Sequence, residues 1–447
     1  MALGLALLRR SISKHRRVPG PRFVATRAWQ QPLSGKLPEP LRATDGRKPG
    51  AAPEDVFTLD TITQRMPKII QSTVAAMPSA LKTSDFEQNV KALQDEMKEG
   101  AQLRLLRGDS PRVGADRWNE HLTEFIDRGE GWHTAPWWVV ENYMYKRLLE
   151  EMDRCGSEAA SYDPFEAVKL EALEQSAEPL ESSLQPLVKL TAEASSEAPG
   201  SKARREALEA SLLRSLWGNQ ADLSLSAGEV TSVSGGQLEN LVSDHRSEAL
   251  DLLLASKKVV VVMDNYGLEV LCDLVLVDAI LSLTDSAVSL HVKDAPVFVS
   301  DVTDKDVPKV LKWLETRLPE LAGRLKVHLG TGRLKAEAHS YYTTARSFWE
   351  VPAELQSDFS DAAVVLKGDA NFRRLLGDLH WPYDTDFAEY AGSFWQGSGL
   401  ICLRTMKSGV AIGIPDSEQQ RAQEARKDDW LTSGVFGQVL TFDRGAA

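Results

Sequence analysis

The stretch Val259-Val260-Val261-Val262-Met263-Asp264-Asn265, VVVVMDN, decides how the second half of this chain folds. Four valines and a methionine in a row leave no polar face, which is the pattern of a strand covered on both sides in a parallel sheet. Asp264 and Asn265 then emerge at the carboxyl end of that strand, ahead of a helix expected from about Gly267. In open α/β sheets, ligands bind in the crevice beyond those strand ends. Carboxylate and amide oxygens are hard donors that suit Mg²⁺ or Mn²⁺. The same aspartate would serve as a helix cap, and the motif alone leaves both readings open.

Working outward, short β-rich runs alternate with helical segments. AVSLHV, LKVHL, AAVVL, GLICLRT and VAIGI read as strands, and GLEVLCDLVLVDAILSL, VPKVLKWLETRL and NFRRLLGDL read as helices. This alternation predicts a Rossmann-like three-layer α/β/α domain with a mainly parallel sheet over residues 247–447. Upstream, residues 51–246 read as a helical domain, because ITQRMPKIIQSTVAAM and PWWVVENYMYKRLLEEM repeat apolar residues at helical spacing. Trp118, Trp132, Trp137 and Trp138 fall there and are expected in its core. Two surface helices are expected between Glu166 and Asn219, followed by a polar loop, ADLSLSAGEVTSVSGG.

A second acid follows the apolar run PVFV, at Ser300-Asp301, and reads as another strand end. Two such acids converging in one crevice repel unless a cation lies between them, and burial raises the pKa of one. Asp304 and Asp306 read instead as helix-start acids facing solvent. After AAVVL comes Lys367-Gly368-Asp369-Ala370-Asn371-Phe372-Arg373. There glycine permits close approach of the backbone, Asp369 and Asn371 offer hydrogen bonds to hydroxyls, and Arg373 offers a grip on phosphate where a helix opens. An ordinary strand-turn-helix corner would look the same. A further strand end gives Arg404-Thr405-Met406-Lys407, where alternation puts Thr405 and Lys407 on one side, so that one long cation reaches the crevice.

Together the DN pair at Asp264-Asn265, the SD pair at Ser300-Asp301, the KGDxNFR run and the RTxK run resemble the damage-control phosphatases, in particular their sugar-phosphate phosphatase subfamily. The likeness extends to APWWVVENYMYKR, Ala135 to Arg147, and SLWGNQADLSLS, Ser215 to Ser226. It implies that Asp264, Asn265 and Asp301 hold a divalent metal, Mn²⁺, Co²⁺, Ni²⁺ or Mg²⁺. It further implies that Glu269 is a substrate-site glutamate, that Asp369, Ala370, Asn371, Phe372 and Arg373 form the substrate loop, and that Lys407 contacts phosphate. Asp264, Asp301 and Asp369 would be the catalytic acids. The expected partner is a small phosphorylated metabolite such as fructose 1-phosphate. Tyr266 stands where a small residue is common in that family and Ala370 where a larger apolar one is, which bears on substrate preference.

The charge balance agrees with a small anionic substrate held locally. The chain carries a net charge of −12, yet eight cations and no acid precede Glu39, so the rest stands at −20. A body that acidic repels nucleic-acid phosphate. Residues 1–50 read as a basic targeting leader and linker; MALGLALLRRSISKHRRVPGPRFVATRAW fits import into a mitochondrion or plastid, with a cytoplasmic protein bearing a basic tail as the alternative. No apolar run reaches the roughly 18 residues of a membrane span. Cys155, Cys272 and Cys402 are too widely spaced for a CxxC metal or redox motif. Two other functions remain open at this stage. Methyl transfer from S-adenosylmethionine to protein carboxylates would require a glycine-rich loop that DNYG does not supply. A non-catalytic interaction protein would keep the acids as a remnant. For the phosphatase reading, a metal-activated water and Asp264 itself are the two candidate nucleophiles.

Overall fold

The fold is that of a computed structural model, which describes residues 29–34, 37–108, 110–218, 238–427 and 429–445. The leader as far as residue 28, the whole polar loop ADLSLSAGEVTSVSGG and part of the SLWGNQADLSLS run lie outside the described residues.

Among the described residues, seven strands form one sheet: β1 Leu241–Asp244, β2 Lys258–Val262, β3 Ala287–Lys293, β4 Leu334–His339, β5 Ala363–Lys367, β6 Gly399–Thr405 and β7 Gly437–Asp443. Their order is β1-β7-β6-β5-β2-β3-β4, parallel throughout except where β7 runs antiparallel to β6. The valine run of β2 is central, flanked by β5 and β3. Alternation sends Val260 and Val262 into the core on one face and Val259 and Val261 into the core on the other, which explains why the run contains no polar position. Val364 and Leu366 of β5 follow the first face, and Ala363 and Val365 the second.

The helices Ser84–Glu99, Ala115–Asp127 and Trp137–Asp153 belong to the first core, together with all four tryptophans expected there. The helices Gln185–Ser195 and Lys202–Leu216 belong to the second, packed on Leu268–Leu283. The stretch expected as linker is docked where it is described. Leu41 N donates to Asp378 O at 3.2 Å, Trp137 N donates to Leu41 O at 2.8 Å, and Trp29 lies edge-on to Trp395 at 4.9 Å. No helix among the described residues is long and apolar enough to cross a membrane.

Three expected strands are corrected. LKVHL lies inside the helix Pro319–Thr331, because Leu318, Leu321, Ala322 and Leu325 bury one helical face while Val327 points to solvent. The strand is the next run, LKAEAH, which forms β4. VAIGI is a buried loop rather than a strand: Gly413 has φ +71° and donates to Thr385 O, and Ile414 N donates to Tyr383 O. PVFV is not a strand either, and Asp301 reaches the site by another route.

Candidate functional site

At the carboxyl end of β2 the chain leaves the sheet, and the loop after β3 folds back beside it. Tyr266 N donates to Ser300 O at 2.6 Å and Val302 N donates to Asp264 O at 2.9 Å, closing an isolated bridge between Asn265 and Asp301. A backbone clamp therefore holds the SD pair against the DN pair. Asp264 does not cap the following helix, whose cap residue Gly267 has no side-chain bond. Its Oδ2 accepts from Asn265 Nδ2 at 2.8 Å, and its Oδ1 is buried with no hydrogen-bond partner among the described residues.

The same Asn265 amino group donates to Glu269 Oε2 at 2.9 Å, and Asn265 Oδ1 accepts from Ser300 Oγ. Asp264 and Asp301 are both almost wholly buried. Burial first, then the neighbouring charges of Asp301 and Glu269, push the Asp264 carboxyl well above its ordinary range. Burial likewise raises Asp301, against the pull of Lys293. Lys293, at the end of β3, places Nζ 2.5 Å from Asp301 Oδ2 and 4.3 Å over the Phe298 ring.

From β5 the helix Gly368–Leu376 opens directly beneath Asp264. Gly368 has φ +77°, and a Cβ there would stand 1.8 Å from Asp264 Oδ2, so only glycine fits. Asp369 is fixed from the RTMK turn. Its Oδ1 lies 2.7 Å from Arg404 Nη2 and accepts from Lys407 N and Ser408 Oγ, each at 3.2 Å. Arg404 is buried, 4.3 Å over the Phe372 ring. Lys407 itself makes no side-chain hydrogen bond or ion pair among the described residues.

The resulting cleft, of about 280 Å³, is lined by Asp264, Asn265, Glu269, Asp301, Asp369, Ala370, Arg373 and Lys407, with Thr405 beside Lys407 as alternation predicts. That size suits a small metabolite rather than a polymer. A larger cleft, of about 800 Å³, along Glu54, Tyr383 and Trp430 contains none of the sequence-predicted site residues.

Two residues of the expected substrate loop face elsewhere. Asn371 Nδ2 donates to Lys367 O at 2.8 Å and Met263 O at 3.2 Å, tying the two strand ends together, and Phe372 is core. Arg373 lines the cleft but is committed, with Nε donating to Asp378 at 2.7 Å, Nη1 donating to Glu141 at 2.6 Å and the guanidinium 3.8 Å over Trp137. Asp306, expected in solvent, is buried: Lys169 Nζ donates to its Oδ2 at 2.7 Å and Thr303 N at 2.9 Å.

Sequence reading missed Lys293, Glu141, Tyr145 and Arg65. The last three reach the cleft from the N-terminal helical segments. Lys293 had a signal: on a strand covered on both faces, Ser289, His291 and Lys293 alternate with Val288, Leu290 and Val292, and a polar row that must be buried calls for partners.

Hard oxygen donors gathered at the carboxyl edge of a parallel sheet, with a lysine uncommitted among the described residues, define an α/β enzyme that handles a small anionic ligand. A profile of the damage-control phosphatase ARMT1-like domain matches residues 61–422. Curated relatives include the damage-control phosphatase ARMT1 of Rattus norvegicus, 28% identical over 87% of this chain and 96% of its own. The Xenopus laevis protein of that name is 29% identical over 86% and 96%, and the Homo sapiens one 27% over 87% and 96%. A solved DUF89 family protein from Pyrococcus horikoshii aligns over 79% of this chain and 92% of its own, with 13% identity and a TM-score of 0.42. The chain belongs to the ARMT1-like damage-control phosphatase family.

Proposed function

We propose that the cleft holds a divalent cation through Asp264, Asn265 and Asp301 and hydrolyses phosphate monoesters of small metabolites, reactive sugar phosphates such as fructose 1-phosphate among them. The observation that carries this reading is Asp264 Oδ1, a buried carboxylate oxygen without a partner, beside the carboxylates of Asp301 and Glu269. Such a cluster is costly unless a proton or cation joins it. The donor set fits Mn²⁺, Mg²⁺, Co²⁺ or Ni²⁺, all of which accept carboxylate and amide oxygens. When bound, that cation supplies Lewis-acid charge to the phosphoryl group.

The chain's own groups do the rest. Lys407 brings a second positive charge to the developing phosphoryl oxygens, and Arg65 adds one at the exposed rim. Asp369 turns one oxygen to Arg404 and the RTMK backbone, which keeps its other oxygen for a substrate hydroxyl. Asn265 and Ser300 keep the two acidic loops in register. Arg373 and Glu141 form a neutralised wall on the helical side of the cleft.

The test is a panel of sugar phosphates and other phosphometabolites with each of the four metals, reading phosphate release. Turnover of sugar phosphates is expected, and no release with any metal would overturn the reading. The basic leader supports delivery to a mitochondrion or plastid. A reporter fused to residues 1–50 that stays diffuse in the cytosol would contradict that.

A further inference from the structure

β3 and β4 carry a second cluster of metal-ligand side chains, none of which lines the cleft. His291 pairs in register with Glu337, and Lys293 with His339, so His291, Glu337 and His339 share one face of the sheet. The rings of His291 and His339 lie with centroids 4.8 Å apart. Asp358 arrives from the helix Ala353–Phe359, and the ligand atoms of His291, His339 and Asp358 all lie within 4.8 Å of one another. Asp358 Oδ2 is 4.0 Å from His291 Nε2 and 3.9 Å from His339 Nε2, and Glu337 Oε2 is 3.9 Å from His291 Nε2.

His291 has only 1% of its surface exposed, and its Nε2, aimed into this group, has no hydrogen-bond partner among the described residues. Separations near 4 Å exceed hydrogen-bonding distance. They are of the size a bridging cation closes, since two donors at about 2.0–2.1 Å from tetrahedral zinc stand roughly 3.3 Å apart. The His291 ring is anchored on its far side. Its Nδ1 is 2.9 Å from the Tyr342 hydroxyl, the kind of outer contact that fixes a ligating ring. Lys258, a cation whose charge bears on His291, is paired with Asp361 at 3.0 Å. Ring packing on Phe359, at 5.9 Å, explains an aromatic here but not a buried nitrogen left without a partner.

We propose that His291, His339 and Asp358, with Glu337 as the fourth donor, form a zinc-type site. Two imidazoles and carboxylates in a compact group suit zinc or cobalt rather than magnesium. The site would fasten the edge strand β4 to β3 and to the helix Ala353–Phe359, and none of its four residues lines the cleft.

The experiment titrates Co²⁺ into the full-length protein carrying Asp264→Asn, which weakens the cleft's own cation site. One equivalent of cobalt with the intense visible absorption of a four-coordinate, histidine-ligated ion is expected. Adding Asp358→Asn, which keeps the shape, should weaken that binding roughly tenfold or more. Adding His339→Ala should abolish it, while circular dichroism of the metal-free proteins stays the same. A spectrum and stoichiometry indifferent to both added substitutions would overturn the site, as would the absence of four-coordinate cobalt in the parent variant.

Discussion

Lys293 Nζ and Asp301 Oδ2 form a buried ion pair 2.5 Å long. It joins the last residue of β3 to the acid that the loop beyond it returns to Asp264. The pair neutralises only part of the cleft's negative charge, because Asp264 and Glu269 share the same enclosure.

That balance yields a prediction for Lys293→Met. Removing one partner of a buried pair leaves the other uncompensated, at a cost of about 3–5 kcal/mol. The metal-free variant should be destabilised by that order. The gain in melting temperature on adding Mn²⁺ should exceed that of the wild type, since the cation then balances Asp301 without Lys293. Differential scanning fluorimetry with and without chelator checks this, and an equal or smaller gain would count against shared use of Asp301.

Arg404 acts on the cleft at one remove. It pairs with Asp369 at 2.7 Å, lies over Phe372 and donates through Nη1 to Val410 O at 2.7 Å. A lysine cannot reproduce the planar fork. Arg404→Lys should let Asp369 and the Lys407 turn shift, lowering kcat by about 10²-fold. Steady-state kinetics with circular dichroism as the folding control test this, and a kcat within a factor of two of the wild type would refute the positioning role.

The central strands β2, β5 and β6 were legible because their uninterrupted apolar runs have only one reading, a strand buried on both faces. The edge strands were not. β1 spans four residues, and β4 mixes Lys335, Glu337 and His339 into its pattern, so neither shows strong alternation. LKVHL has β-like composition but helical spacing, and spacing decided it. In the site, Asp264, Asn265, Asp369 and Lys407 follow directly from strand ends. Asp301 depends on a loop that turns back through backbone bonds, and Glu141 on packing between segments more than 100 residues apart. Neither relation leaves a local trace in sequence.

His121, in the helix Ala115–Asp127, supplies a pH prediction. Burial first, and then the charge of Arg346, push its pKa down to about 4. Above about pH 6.5 neither the folded nor the unfolded chain protonates it. As pH falls from 6.5 towards 4, the unfolded chain takes up a proton that the folded chain refuses, so stability is lost across that window. His121→Gln should reduce the pH dependence of urea unfolding between pH 7 and 4.5 by about 1–3 kcal/mol. An unchanged dependence would contradict a half-buried imidazole held neutral.

The central claim, that Asp264, Asn265 and Asp301 hold the cation on which phosphate release depends, is tested most directly on metal-stripped protein given Mn²⁺ back. Phosphate release from the best sugar phosphate of the panel should vanish on stripping and return with about one equivalent of Mn²⁺ in the wild type. In the folded Asp264→Asn and Asp301→Asn variants it should not return. Turnover that survives stripping, or that returns in either variant, would contradict the account.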